Sequence, residues 1–412
     1  MTVIHSALQS IRQNRLRSIL AGFGIAWGIF LLVIFLGVGA GFKDGVMKMF
    51  NAFAQKSLFV YGGQTSVAGT TMSENTQIVF DKGVVDLVKQ RYGSVMNASP
   101  EMSLPTISVS SAGEMTSASV KGVNDDYFDI KILDVTNGRR INHLDIVNYR
   151  NVAVIGDGVQ KSLFSMRDAI GKNVEISGAL FKVVGILSSE SIFSMQERNT
   201  VYIPSTTFLD NFDSEGNISS FCLALSSDAN TSAIEKDLRS YLAYRYGFDP
   251  HDKQAVYVAN IEKQTESFES LFRGLEALIW VVGICLLLSG IVGVCNVMLI
   301  IVKERTNEIG IRKAVGATSR SIISMILTES VTITFISGVI GIVAGALLVM
   351  IADKVILPAL NTKVLDNIQI NIPVVLAAFV ILCLSGVVAG LFPALKASQI
   401  SPVDAIRYEN RG

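Results

Sequence analysis

Glu304, Glu308 and Arg312 recur every four residues in the run NVMLIIVKERTNEIGIRKAVGA, Asn296 to Ala317, and a helical period puts all three on one face. Glu308 with Arg312 is a stabilising i,i+4 ion pair, whereas Glu304 over Glu308 is a like-charge pair that costs a few tenths of a kcal/mol unless a cation answers it. The chemistry on offer is charge pairing. Ile309 lies near Arg312 and Lys313, and Ile311 beside Val315, so the same period yields a modest apolar stripe bordered by charge. Gly310 and Gly316 each lower helix propensity by about 1 kcal/mol relative to Ala, so docking against a partner would help such a helix form. Two readings stand: a helix gripped by another protein, or a solvated loop whose Lys and Arg only set topology.

Groups for covalent or metal chemistry are scarce. No G-x-x-x-x-G-K-[ST] loop, H-E-x-x-H, G-x-S-x-G or C-x-x-C pair occurs, and the 3 histidines (His5, His143, His251) are scattered. His143 near Asp145 reads as loop polarity. Cys285, Cys295 and Cys383 fall in apolar runs, which leaves Cys222, in FCLAL, as a buried free thiol or the seat of an intermolecular bridge. The expectation is a non-catalytic chain with no metal site and no cofactor of its own. A net charge of +0 without any Lys/Arg-rich run gives no argument for nucleic acid.

The elements that carry these residues follow from composition. Of 412 residues 50% are apolar and 17% charged, against about 25% charged in soluble proteins, and the mean hydropathy is +0.45. This is the composition of a membrane protein. Runs at 19–41, 274–302, 321–351 and 374–395 are long enough to cross about 30 Å of hydrocarbon, a task for roughly 20 residues. Arg12, Arg15 and Arg17 precede the first span, Lys303, Arg305, Arg312, Lys313 and Arg320 lie between the second and third, and Lys396, Arg407 and Arg411 follow the fourth. That bias puts both termini and the 303–320 segment in the cytosol, with the 42–273 block and the 352–373 loop outside. A cleaved signal peptide is the alternative for the first span, although its apolar run exceeds a signal core.

In chain order, Val3, Ile4, Ala7, Leu8 and Ile11 suggest an interfacial amphipathic helix within 1–18, lying against membrane lipid, with an untied tail as the alternative. Small residues permit close helix contacts at Gly24, Gly28, Gly37 and Gly41, at Gly290 and Gly293, at Gly341 and Gly345, and at Gly386 and Gly390. Apolar stripes continue past the first span (Phe42, Val46, Phe50, Phe53) and precede the second (Phe268, Phe272, Leu275), which predicts a paired helical stalk. Twelve residues of it would stand roughly 18 Å tall. Between the stalks, SLFVYGG, TISVSS, NVAVIGD, FKVVGIL, NTVYIP and FCLALSS read as short strands, with helices near 82–91 and 229–244, giving an α+β extracytoplasmic domain. Glu329 sits inside the third apolar run and should face a partner helix or the cytosolic interface. Pro393 should end the fourth span, and Ser401-Pro402-Val403-Asp404 should start a short tail helix within 396–412.

The run NVMLIIVKERTNEIGIRKAVGATSRSI, the closing AGLFPALKASQISPVDAIRYE, and the pieces VAVIGDGVQKSLF, IGKNVEI, FKVVGIL and NTVYIP resemble the MacB/FtsX family of ABC-transporter permeases over essentially the whole chain. The resemblance implies one transmembrane helix, a periplasmic core domain and three further helices in a bacterial inner membrane. That domain would comprise a porter-like part (46–124 and 205–262) interrupted by an inserted part (125–204). It also implies a dimer, with a second copy or a sister permease, and mechanotransmission from a cytosolic ATPase that binds ATP and Mg. The family's coupling motif falls on Glu304, Arg305, Thr306, Glu308, Ile309, Gly310, Ile311 and Arg312, with Lys313 beside them. Only 18 residues precede the first span, so a separate ATPase subunit is expected, with a periplasmic adaptor and an outer-membrane factor as further candidate partners. Export or efflux is the leading function. The rivals are a lipoprotein-releasing or cell-wall-hydrolase-regulating subunit and, from another class, a signalling or structural membrane protein. Macrolides, peptides, siderophores and lipoproteins all fit this frame.

Overall fold

A computed structural model describes residues 15–165, 168–187, 197–212, 216–356 and 372–401. The chain divides into two compact units, Val46–Glu269 on one hand and the residues up to Gly45 with those from Ser270 onward on the other.

The Val46–Glu269 unit is built on strands β1 (Ser57–Gly62), β2 (Phe80–Asp81), β3 (Val95–Ser111), β4 (Glu114–Val123), β5 (Val135–Gly138) and β6 (Val152–Gly156). They are followed by β7 (Asn173–Ile176), β8 (Ala179–Leu187), β9 (Thr200–Pro204), β10 (Asn217–Ile218), β11 (Ser220–Leu225) and β12 (Val256–Asn260). A ten-stranded sheet runs β12-β1-β11-β3-β4-β9-β6-β8-β5, while β2 and β10 form their own ladder. The far half of β3 also pairs with β7 through Val109 and Ser110, and β7 pairs with β8, so β3, β4, β9, β6, β8 and β7 close on one another. Two-residue turns with positive φ at Ala112-Gly113 and Ser177-Gly178 join β3 to β4 and β7 to β8, the geometry that matches the twist of paired strands.

Strand periodicity explains the two cores of this unit. Leu58, Val60, Ala153, Ile155, Val201, Ile203, Phe221 and Leu223 point to one side and form a single cluster with the helices Val84–Arg91, Asp157–Phe164, Ser205–Phe212 and Thr231–Tyr246. The alternate residues Phe59, Val154, Tyr202 and Cys222 point the other way and pack with Tyr127, Phe128 and Ile130. Segment 125–204 carries strands β5 to β9, and its buried residues belong to clusters shared with the flanking halves. Parallel pairing of β4 with β9 and antiparallel pairing of β3 with β7 join it to the flanking halves, and long-range pairing of that kind leaves no local mark in a sequence.

Among the described residues, four helices are long and apolar enough to cross a membrane, within Gly22–Phe50, Ile261–Glu304, Ser319–Val355 and Ala377–Ser398, with most of their length in the other unit. Small residues set their spacing. A Cβ on Gly341 would come within 2.4 Å of the Ala26 carbonyl oxygen, and one on Gly290 within 2.8 Å of Ile25. Gly24, Gly28, Gly37, Gly345, Gly386 and Gly390 likewise face Gly290, Leu286, Val349, Val33, Thr334 and Ser330, and Gly41 is buried. Gly293 departs from the expectation, since a Cβ there meets nothing within 4 Å. Three residues beyond Gly290, it is turned about 60° off that contact line. Ser330 donates to the Gly386 carbonyl at 3.1 Å, a bond between the third and fourth helices.

Pro393 does not end the fourth helix, which runs from Ile372 to Ser398 with the proline inside. Apolar helices in packed bundles tolerate proline because neighbouring groups take up the freed carbonyl. On the stalk stripes, Phe42 meets Phe272 edge-on at 5.7 Å, Phe50 tilts against Phe268 at 5.2 Å, and Phe53 meets Phe59 at 5.4 Å. Val46 is buried, but Leu275 is half exposed even though, seven residues after Phe268, it stands on the same helix face. The expected helices within 1–14 and 402–408, and the loop residues 357–371, lie outside the described residues.

Candidate functional site

The second long helix stops at Glu304, and a nine-residue helix, Thr306–Ala314, begins after Arg305. The continuous period read from the sequence is therefore broken by one residue. At the break, the Thr306 hydroxyl donates to the Lys303 carbonyl at 2.8 Å and the Val302 carbonyl at 3.2 Å. The far end is closed by Gly316, whose φ of 100° is open to glycine and strained for other residues. Gly316 N–H donates to the Lys313 carbonyl and Ala317 N–H to the Arg312 carbonyl, both at 3.0 Å, a Schellman stop. Thr318 then caps the third long helix by accepting from Ser321 N–H at 3.3 Å.

The short helix divides its motif between two directions. Inward, Ile309 is 1% exposed and packs in the core formed with Val302, Ile322 and Ile326, with Gly310 buried beside it. Arg305 donates from Nη1 to Glu329 Oε2 at 3.2 Å, and Glu329 is only 4% exposed on the third helix. Lys313 Nζ reaches past the end of the fourth helix to the carbonyls of Ser398 and, at 3.0 Å, Ile400. Outward, Glu304, Glu308 and Arg312 are exposed, as are Ile311 and Val315, the latter at 85%. Thr306 is intermediate. Glu308 lies between two guanidinium groups, 2.6 Å from Arg312 and 3.9 Å from Arg305, so cations of this chain meet the repulsion between Glu304 and Glu308. The apolar stripe thus splits, Ile309 facing the bundle while Ile311 and Val315 face away.

Sequence reasoning placed Glu329 against a helix or an interface but did not join it to Arg305, 24 residues away. The available signal was a cation at the exit of one span and an acid at matching depth in the next. Nor did it find the use of Lys313, because the carbonyls it clamps carry no residue signature.

A second charged cluster lies within the Val46–Glu269 unit. Lys121 stands 3.2 Å from Glu101 and 3.5 Å from Glu197, and Lys131 stands 3.3 Å from Glu197. Tyr202 donates its hydroxyl to Glu197. Burial pushes the Glu101 and Glu197 carboxyls up, but the charges of Lys131 and Lys121 outweigh it and hold both below the usual carboxylate range. Burial alone would lower Lys131, and the two carboxylates raise it instead. Asp145, the neighbour of the exposed His143, is wholly buried. Its burial is outweighed by Arg139 and by the Asn142 N–H at 3.1 Å, which keep its carboxyl low, while His143 faces solvent. Burial pushes the Cys222 thiol well up and leaves it unreactive. Among the described residues no group of three or more His, Cys, Asp and Glu could hold a metal ion.

Residues 18–241 match the MacB-like periplasmic core domain family, and residues 280–402 match the FtsX-like permease C-terminal family. A macrolide export ATP-binding/permease protein MacB of Mannheimia succiniciproducens is 27% identical over 99% of this chain, which spans 61% of that protein's length. The ABC transporter permease YvrN of Bacillus subtilis is 30% identical over 98% of this chain and 99% of its own. The periplasmic region of MacB from Actinobacillus actinomycetemcomitans aligns with 54% of this chain and 97% of its own at 19% identity, with a TM-score of 0.45.

Proposed function

The chain belongs to the MacB/FtsX family of ABC-transporter permeases, and from that premise we propose that it is the membrane subunit through which a separate cytosolic ATPase drives a conformational change in the 46–269 domain. One observation supports this above the rest. The Thr306–Ala314 helix is anchored on one side by Ile309 and Lys313 and offers Glu304, Glu308, Ile311, Arg312 and Val315 on the other. An anchored helix with an apolar and charged outer face is suited to receive force. The Lys and Arg bias supports a cytosolic side for this helix and both termini and an outer side for the 46–269 domain. ATP and Mg belong to the ATPase, and a second permease completes the complex, as a homodimer or with a sister chain. A periplasmic adaptor and outer-membrane factor would extend the system.

Coupling requires that the ATPase bind one permease conformation better than another, because equal affinity shifts no equilibrium. Export is the proposed outcome. The MacB relatives are named for macrolide export, and macrolides, peptides, siderophores and lipoproteins are the candidate substrates of this chain. The test is reconstitution of the full chain in lipid nanodiscs with candidate ABC ATPases, measuring association and ligand-stimulated hydrolysis. Binding that depends on Glu308 and Ile311 is expected. An outer face whose substitution leaves association and hydrolysis untouched sinks the proposal, and so does a 46–269 domain found facing the cytosol.

A further inference from the structure

Arg305 belongs to the stretch that would meet an ATPase, yet its side chain turns into the bundle and away from that face. It occupies the single residue between two helices, with φ −97° and ψ 13°, and its guanidinium reaches both Glu329 on the third helix and Glu308 on the short helix. Glu308 in turn holds Arg312. Four alternating charges therefore run from the exposed surface to a carboxylate that is 4% exposed among apolar neighbours. A carboxylate so enclosed holds a neighbouring cation strongly, because little water screens the pair.

We propose that the Arg305–Glu329 pair is the positioning latch that fixes the Thr306–Ala314 helix to the third long helix, so that displacement of the short helix moves the third helix instead of bending the joint at residue 305. Three features of the joint call for such a latch. The two helices part at Arg305, where only the bonds from its N–H to the Ile301 carbonyl and from Ile309 N–H to its own carbonyl, both at 3.0 Å, are seen to span the joint; Gly310 weakens the short helix, and Gly316 ends it, so the main chain by itself supplies limited stiffness. Lys313 ties the opposite end of the same helix to the fourth. Arg305 and Glu329 are thus positioning residues for the coupling proposed above, and this inference rests on that reading for its functional consequence but not for its structural one.

The experiment uses the full chain in nanodiscs and reads amide hydrogen exchange of residues 306–314, which needs no ATPase. Arg305→Ala, Arg305→Lys and Glu329→Gln are made singly, and Arg305→Ala is also combined with Glu329→Gln. Each single change should speed exchange of those amides about tenfold or more, with Arg305→Lys least affected. The double variant should be little worse than either single, as for two ends of one interaction. Unchanged exchange, or effects that add, overturns the latch. Should Glu329→Gln fail to insert, the two Arg305 variants decide the matter, because a latch predicts that lysine partly restores what alanine loses. With a cognate ATPase present, ligand-stimulated hydrolysis should fall by about fivefold or more in the same variants, the scale of ordinary allosteric coupling. Failure of the wild-type chain to bind any ATPase would refute the functional proposal and leave the exchange result standing.

Discussion

At the residue scale, one turn of sequence serves two purposes because a helix has two sides. Glu308 and Arg312 face outward at four-residue spacing while Ile309 and Lys313, one step on from each, face inward. Reversing one outward charge should therefore spare the fold. Glu308→Lys is expected to remove ATPase stimulation while leaving insertion, expression and thermal stability within about 0.5 kcal/mol of the parent, the usual range for surface changes. A matched loss of stability would mean that Glu308 acts by holding the helix and not by meeting a partner. Gly316 makes the opposite case. Gly316→Ala places a side chain at φ 100° and should cost about 1–2 kcal/mol, visible as faster amide exchange at the C-terminal turn of the short helix.

At the scale of elements, what fixes the long helices is how closely they approach. Gly341→Ala would press a methyl group to 2.4 Å from the Ala26 carbonyl, so the first and third helices must separate, at about 1–3 kcal/mol. Gly293→Ala meets nothing and should raise stability by up to about 1 kcal/mol, since alanine is the better helix former. Thermal unfolding in one detergent would compare the two, and equal effects would show that the approach at Gly341 is not tight. In the sheet, the corresponding element is the ion cluster that links β3, β4 and the turn after Ile130. Lys131→Met would leave Glu197 and Glu101 short of a counter-charge and should cost about 3–5 kcal/mol, lowering the melting temperature of that unit. An unchanged melting temperature would show the cluster to be energetically idle.

At the scale of the whole molecule, the same cluster sets a pH dependence. Glu101, Glu197 and Asp145 have folded pKa values below their unfolded ones, so their stabilisation is complete above the unfolded values of about 4, and is lost as pH falls through the folded values. Melting temperature should therefore be flat from about pH 5 to 8 and fall below about pH 4, with a shallower fall in Lys131→Met. Stability that increased on acidification would contradict the assignment. Much of this protein was legible in the order of its residues. Span number and the short strands are local properties, carried by runs of apolar side chains and by periods of 3.6 and 2, and they are legible without any partner in space. Leu275, Gly293 and Pro393 mark where that reading stopped, since each depends on which neighbour stands opposite. The strand closure through β7, the union of Arg305 with Glu329 and the burial of Asp145 were decided only by tertiary structure. Each joins residues that no local period relates, and each is held because an unpaired backbone group or charge, once enclosed, must find its partner wherever the fold brings one.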